Sequence, residues 1–137
     1  MITISAESHA ARRLLSRSPI ALAEALEGTY NDASALFLRE FTTYPPAPPR
    51  SSYRRTRTLG RSWSREFSGS GLGRRVLIGS NQNIAPYNRK VQDEQVQARV
   101  HRGRWRNTVQ DVARRHERNV TTFLERRVAA QMARLGG

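Results

Sequence analysis

The chain has 137 residues, enough for one hydrophobic core but short for two. It contains no cysteine, which excludes disulfides and thiolate metal sites, and 24 Lys+Arg against 11 Asp+Glu leave a formal net charge of +13. No apolar run is long enough for a signal peptide or a membrane span, so the sequence predicts a soluble intracellular product.

In chain order, Ile2-Thr3-Ile4 reads as a short strand, and Glu7 to Ser16 as a short helix with Leu14 and Leu15 available for burial. Ser18-Pro19 is a helix start, an N-cap hydroxyl followed by proline at the first helical position. Behind it Leu22, Leu26, Tyr30, Ala33, Phe37, Phe41 and Tyr44 recur at steps of three and four. That stripe predicts a long amphipathic helix over about residues 19–43, ended by Pro45-Pro46. The prolines at 45, 46, 48 and 49 read as a stiff linker that sets the angle between the helix and the hairpin beyond it, in preference to a polyproline ligand.

From Thr58 the pattern becomes alternating. Leu59, Trp63 and Phe67 fall in phase with Arg61 and Arg65, opposite Thr58, Gly60, Ser62, Ser64 and Glu66. Neither face is wholly apolar, which fits an edge strand or a ribbon completed by a neighbour. Ser68-Gly69-Ser70-Gly71 predicts a turn, and Leu72 to Ser80, with Val76, Leu77 and Ile78, the return strand of a hairpin. After a second turn at residues 79–83, Ile84 to Val91 is a third strand candidate interrupted by Pro86. A second long helix comes next over about residues 105–135, with Asn107 or Thr108 as N-cap and Gly136-Gly137 as its stop. Its apolar stripe is Val109, Val112, Ala113, His116, Val120, Phe123, Leu124, Val128, Met132 and Leu135. The fold class is therefore α+β: a small antiparallel β-sheet with a protruding hairpin, packed against two long amphipathic helices in one domain over residues 1–137. Its segments are 1–17, the helix 18–44, the Pro/Arg-rich linker 45–57, the hairpin and sheet 58–92, and the C-terminal helix.

The positive charge is concentrated. Arg50, Arg54, Arg55, Arg57, Arg61, Arg65, Arg74 and Arg75 stand against one acid, Glu66, so eight arginines less one carboxylate give this window +7. Interleaved with Tyr53, Trp63 and Phe67, they form the electrostatic footprint of a surface facing nucleic acid. The plainer alternative is a solvated face, or pairing with acids of a neighbouring subunit. Lys90 is the only lysine, and arginine's planar fork suits fixed contacts with carboxylate or phosphate. A GC-rich genome produces the same preference for arginine, but not the excess of charge.

Catalytic signatures are absent from the sequence. His9, His101 and His116 are far apart and lack a carboxylate at ligand spacing, so no metal or other cofactor is expected, and His116 reads as a core-edge histidine. Gly69, Gly71 and Gly73 are not followed by Gly-Lys-Ser/Thr, so a hairpin turn explains them better than a phosphate loop. Tyr44, Trp63, Tyr87 and Trp105 are candidates for core or subunit contact rather than base stacking.

In order, Tyr44-Pro45-Pro46, Tyr53-Arg54-Arg55-Thr56, Thr58-Leu59-Gly60-Arg61-Ser62-Trp63, Ile78-Gly79-Ser80-Asn81, Ala85-Pro86-Tyr87, Val91-Gln92 and His101-Arg102-Gly103-Arg104-Trp105 resemble the head-tail joining or tail-completion proteins of tailed bacteriophages. Arg57 stands where that family commonly has glycine, Gly60 falls after the leucine, and Asn88 replaces a small residue. The resemblance implies a non-enzymatic virion protein of the neck, assembled in the host cytoplasm as a homo-oligomeric ring, commonly six-fold. Its implied partners are a head-closure or connector protein, a tail terminator or tail tube protein, and double-stranded DNA passing through the lumen, with no membrane. The eight arginines would then face DNA or the next subunit. The alternative from another class is a small basic host protein that binds nucleic acid.

Overall fold

The computed structural model describes residues 2–4, 8–43, 58–93, 95, 97, 99 and 108–136. The fold is α+β. In chain order come β1 (Ile2–Ile4), α1 (His9–Arg17), α2 (Pro19–Phe41), α3 (Thr58–Arg61), β2 (Trp63–Ser68), a 3-10 turn (Gly71–Gly73), β3 (Arg75–Ser80), α4 (Asn88–Gln92) and α5 (Val109–Arg134).

Local chemistry sets the helix ends. The Ser8 hydroxyl accepts from the Ala11 amide at 3.0 Å and starts α1. Ser18 serves two helices at once: its amide closes α1 on the Leu14 carbonyl at 2.8 Å, and its hydroxyl caps α2 at the Ala21 amide, 3.2 Å away. Its extended backbone (φ −157°) breaks the helical path, and Pro19 restarts it. The Thr108 hydroxyl accepts from the Asp111 amide at 3.1 Å to open α5, and Gly136, at φ +82°, comes just after the last turn.

Alpha 2 buries two adjoining rows of side chains. Leu22, Leu26, Tyr30, Ala33, Phe37 and Phe41 form the row visible in the sequence, and Ala21, Ala25, Thr29 and Ser34 form a second row of small residues. The two polar members are satisfied within the helix, Thr29 on the Ala25 carbonyl at 2.7 Å and Ser34 on that of Asn31 at 3.2 Å. Alpha 5 buries Val112, His116, Val120, Leu124 and Val128 at strict intervals of four and lies antiparallel to α2, as the pairs Glu24–Gln131, Asp32–Arg127 and Glu40–Arg115 show. Val76 and Ile78 of β3 and Ile4 of β1 complete the same core.

The sheet has the order β1-β3-β2, both pairings antiparallel. Ile2, Thr3 and Ile4 oppose Ile78, Leu77 and Val76, while Trp63, Arg65 and Phe67 oppose Ser80, Ile78 and Val76. Side chains alternate across a strand, so Trp63, Arg65, Phe67, Val76 and Ile78 share the core face. Ser64, Glu66, Ser68 and Arg75 share the outer one and are exposed.

Three sequence expectations are corrected. Thr58 to Arg61 is a helical turn, and the strand begins only at Trp63. Leu59, Trp63 and Phe67 are four apart, a spacing that satisfies the helical period as well as the alternating one. The return strand begins at Arg75, after the 3-10 turn. Finally, Ile84 to Val91 is not a strand. The Ile84 and Ala85 amides fold back on the Asn81 carbonyl, the Asn83 amide binds the Asn81 side chain at 2.9 Å, and Asn88 opens α4. An Asx-turn and a proline without an N–H, Pro86, oppose strand pairing, and β1 takes the third place in the sheet.

The hairpin turn requires Gly69. Its φ is +69°, and a Cβ there would meet the Gly73 carbonyl oxygen at 2.2 Å. Gly28, inside α2, has a different reason: the Arg127 guanidinium lies where its Cβ would be and reaches past it to Asp32 Oδ2 at 2.7 and 3.1 Å. Arginine is flexible and can move aside. The displaced ion pair is half-exposed and contributes about 0–1 kcal/mol, whereas alanine gains about 1 kcal/mol of helix propensity over glycine. Gly28→Ala is therefore expected to leave thermal stability unchanged or slightly raised. In that background Asp32→Asn should cost less than in the parent chain, a difference that chemical denaturation of the four-member cycle measures.

Candidate functional site

Charge is sorted by the fold. Three acids of α2 point at α5: Glu24 accepts from Gln131 Nε2 at 3.0 Å, Asp32 takes Arg127, and Glu40 takes Arg115. His116 joins this last pair from the side, its Nε2 3.7 Å from Glu40 Oε1 and its Nδ1 2.8 Å from the Asn119 side-chain amide. The histidine is buried with its ring edge-on to Phe37, the core-edge position its place on the stripe predicts. These acids are thus taken up by the packing of the two long helices.

Among the described residues the hairpin has no such neutralisation. Of the eight sequence-predicted arginines, the described residues include Arg61, Arg65, Arg74 and Arg75, and none of these forms an ion pair with a described carboxylate. Arg50, Arg54, Arg55 and Arg57 lie outside the described residues, as do Tyr44 and Trp105. The four described arginines do not form one strip. Arg61 closes the short helix before β2, and Arg75 lies on the outer face opposite Ser68. Arg65 and Arg74 converge on Phe67, with their guanidinium carbons 5.3 and 4.9 Å from the centre of its ring.

Two residues of α2 missed by the sequence reading hold Arg65 in place. Arg65 Nη1 donates to the Ser34 hydroxyl at 2.9 Å and to the Asn31 carbonyl at 3.2 Å, tying β2 to α2. Arg74 Nη1 donates to the Gly69 carbonyl at 3.2 Å, within the turn, and its Nε is sealed from solvent with no acceptor among the described residues. No sequence signal marks Asn31 or Ser34, because their role depends on where the strand crosses the helix.

The aromatic candidates separate as well. Trp63 is buried, stacked on Phe41 with centroids 4.1 Å apart and planes 9° from parallel, and Phe41 continues to Phe37 at 6.4 Å. The indole N–H donates to Gln92 Oε1 at 2.7 Å, and Gln92 Nε2 reaches the Phe41 carbonyl at 3.4 Å. Trp63 thus joins β2, α2 and α4 through one stacked ring and one buried hydrogen bond. Tyr87 precedes α4 and is exposed.

Among the described residues, no helix is long and apolar enough to cross a membrane. What the fold and site define is a small basic α+β scaffold with an arginine-bearing hairpin at the edge of its sheet. Comparison with known proteins finds no match to this chain, whether among family models, curated proteins or solved structures.

Trp63→Phe keeps the stack on Phe41 but removes the indole donor to the buried Gln92 Oε1, and denaturant melts are expected to show a cost of about 1–3 kcal/mol.

Proposed function

We propose that this chain is a structural virion protein of a tailed phage, forming a ring in the neck that joins the DNA-filled head to the tail. The observation that carries the proposal is the segregation of charge. Asp32 and Glu40 of α2 are ion-paired with Arg127 and Arg115 of α5, and the described arginines of the sheet-edge hairpin find no described carboxylate. A hairpin kept positive in this way suits an anionic counterpart outside its own chain, and in a neck that counterpart is the DNA in the lumen or the acids of an adjoining ring.

The sheet supports assembly in the same place. Among the described residues β2 pairs on one side only, with β3, and a strand edge of this kind can pair with the next copy. Repeated head-to-tail contacts between unlike surfaces close into a ring when the rotation allows. The sequence order of apolar helix, Pro/Arg-rich segment, arginine-bearing hairpin and helix is what carries the resemblance to head-tail joining proteins, whereas residues 84–91, a strand under that resemblance, form turns and α4. A head-closure or connector protein on one side and a tail terminator or tail tube on the other are the partners of this reading, and its role is not enzymatic.

The same unneutralised charge favours a second reading, a small host protein that binds nucleic acid. Electron microscopy of lysates from a phage with an early stop codon in this gene decides between them. Filled heads beside separate tails on the nonpermissive host are the expected result, and intact infectious virions would reject the neck assignment. Charge reversal at Arg61 and Arg75, both exposed, is expected to lower the yield of joined particles while leaving heads and tails individually normal.

A further inference from the structure

We propose that the outward face of α5 is a second anion-binding surface, a row of arginines that lies along the phosphate backbone of duplex DNA. The inference does not need the neck reading and concerns a different face from the hairpin. Its ground is the way α5 sorts charge around its axis. The helix buries Val112, His116, Val120, Leu124 and Val128 at intervals of four, and Met132 continues the row against the core. A residue two positions further on is turned by about 200° from each, almost directly away. Those positions hold Arg114, Arg118, Thr122, Arg126, Ala130 and Arg134, and all four arginines are exposed.

The arginines that serve packing stand in another row. Arg115 and Arg127 each come one position before a buried residue, border α2 and pair with Glu40 and Asp32. The outward row contains no acid. Asp111 holds Arg114 at 2.6 Å, while Arg118, Arg126 and Arg134 form no ion pair with a described carboxylate. Glu117 and Glu125 sit about 100° round the helix from the row. On α1, packed beside α5, Arg12, Arg13 and Arg17 are exposed and no acid accompanies them. An arginine-rich composition does not by itself collect like charges at i,i+4 spacing, where they repel and weaken the helix.

Two features favour DNA over a protein as the occupant. A protein interface is built around apolar or aromatic anchors in a desolvated centre, and only Thr122 and Ala130 stand between these arginines. Contact made of charge alone matches phosphate-backbone binding, which is blind to sequence. The row is also long. From Arg114 to Arg134 it covers about 30 Å at about 1.5 Å per residue, nearly one turn of the duplex. A second copy of the chain is a poor occupant, since each carries a net charge of +13.

The test is fluorescence anisotropy of a short DNA duplex titrated with the full-length chain across a salt series. Three proteins are compared: the parent, Arg118→Gln/Arg126→Gln, and Arg39→Gln/Arg89→Gln, which removes the same charge from exposed sites on α2 and α4. Each lost phosphate contact lowers the magnitude of the slope of log K against log salt by about 0.9, so the row variant is expected to lose about 1.8. The control is expected to lose clearly less, and scrambled duplex sequences to give the same result. Thermal melts accompany the titrations. If the row variant melts early, Arg126→Gln alone serves, with half the loss.

Equal losses in the row variant and the control overturn the row and leave diffuse charge as the cause of binding. A parent chain that binds no duplex overturns it as well. A polyglutamate peptide that binds the parent more tightly than the duplex does, and loses that advantage in the row variant, gives the row to an acidic protein and overturns the proposal. The stop-codon particles judge the neck assignment separately.

Discussion

Alpha 2 is covered on two sides, and the rest of the molecule is arranged by that constraint. A surface helix usually buries one stripe, but this one buries two rows, because α5 and α1 pack along it from one direction and the sheet with its hairpin turn from another. Its fully buried Phe41 is where the two sides meet. The ring stacks on Trp63 of the sheet and adjoins Phe37, which in turn meets His116 of α5. The carbonyl of the same residue accepts from Gln92, so α4 is anchored at that point too. Each fully buried side chain of this size contributes about 1.5–3 kcal/mol, and the stacking adds about 0.5–1.5 kcal/mol.

The same geometry separates the charges. The polar side chains bordering the α2–α5 contact find each other along an antiparallel pair, and so α5, with its many arginines, loses part of its positive field to α2. Alpha 2 lies against the hairpin as well, but among the described residues no ion pair joins the two. The hairpin's inner-face arginine finds neutral partners on α2, a hydroxyl and a carbonyl, which position the guanidinium without cancelling its charge. A neutral acceptor fixes direction and preserves electrostatic reach, whereas a carboxylate would cancel much of it. The electrostatic character of the hairpin is therefore a product of packing as much as of composition.

The helices are legible in the sequence because their signals are local. Ser18-Pro19 caps α2 and Thr108 caps α5, and the apolar intervals of four predict which faces are buried. Residues 58–61 and 84–91 mislead, since a spacing of four fits both periods and an isolated Pro86 in an apolar run does not reveal whether the run folds back on itself. The second row on α2 escapes notice for a related reason. Ala21, Ala25, Thr29 and Ser34 carry little hydrophobic signal, and they are buried because a neighbour covers them.

By itself the sequence determined the α+β class, the two long helices with their caps, the glycine turn and the concentration of arginine between residues 50 and 75. These come from backbone preference, periodicity and composition, which act over a few residues. Only the tertiary structure decided that β1 completes the sheet, that Trp63 hands its N–H to Gln92, that the acids of α2 meet α5, and that Arg65 and Arg74 share one ring while Arg75 faces away. Most of those outcomes join residues dozens of positions apart. They are set by which surfaces the core leaves adjacent, a property of the packed chain that no local pattern encodes.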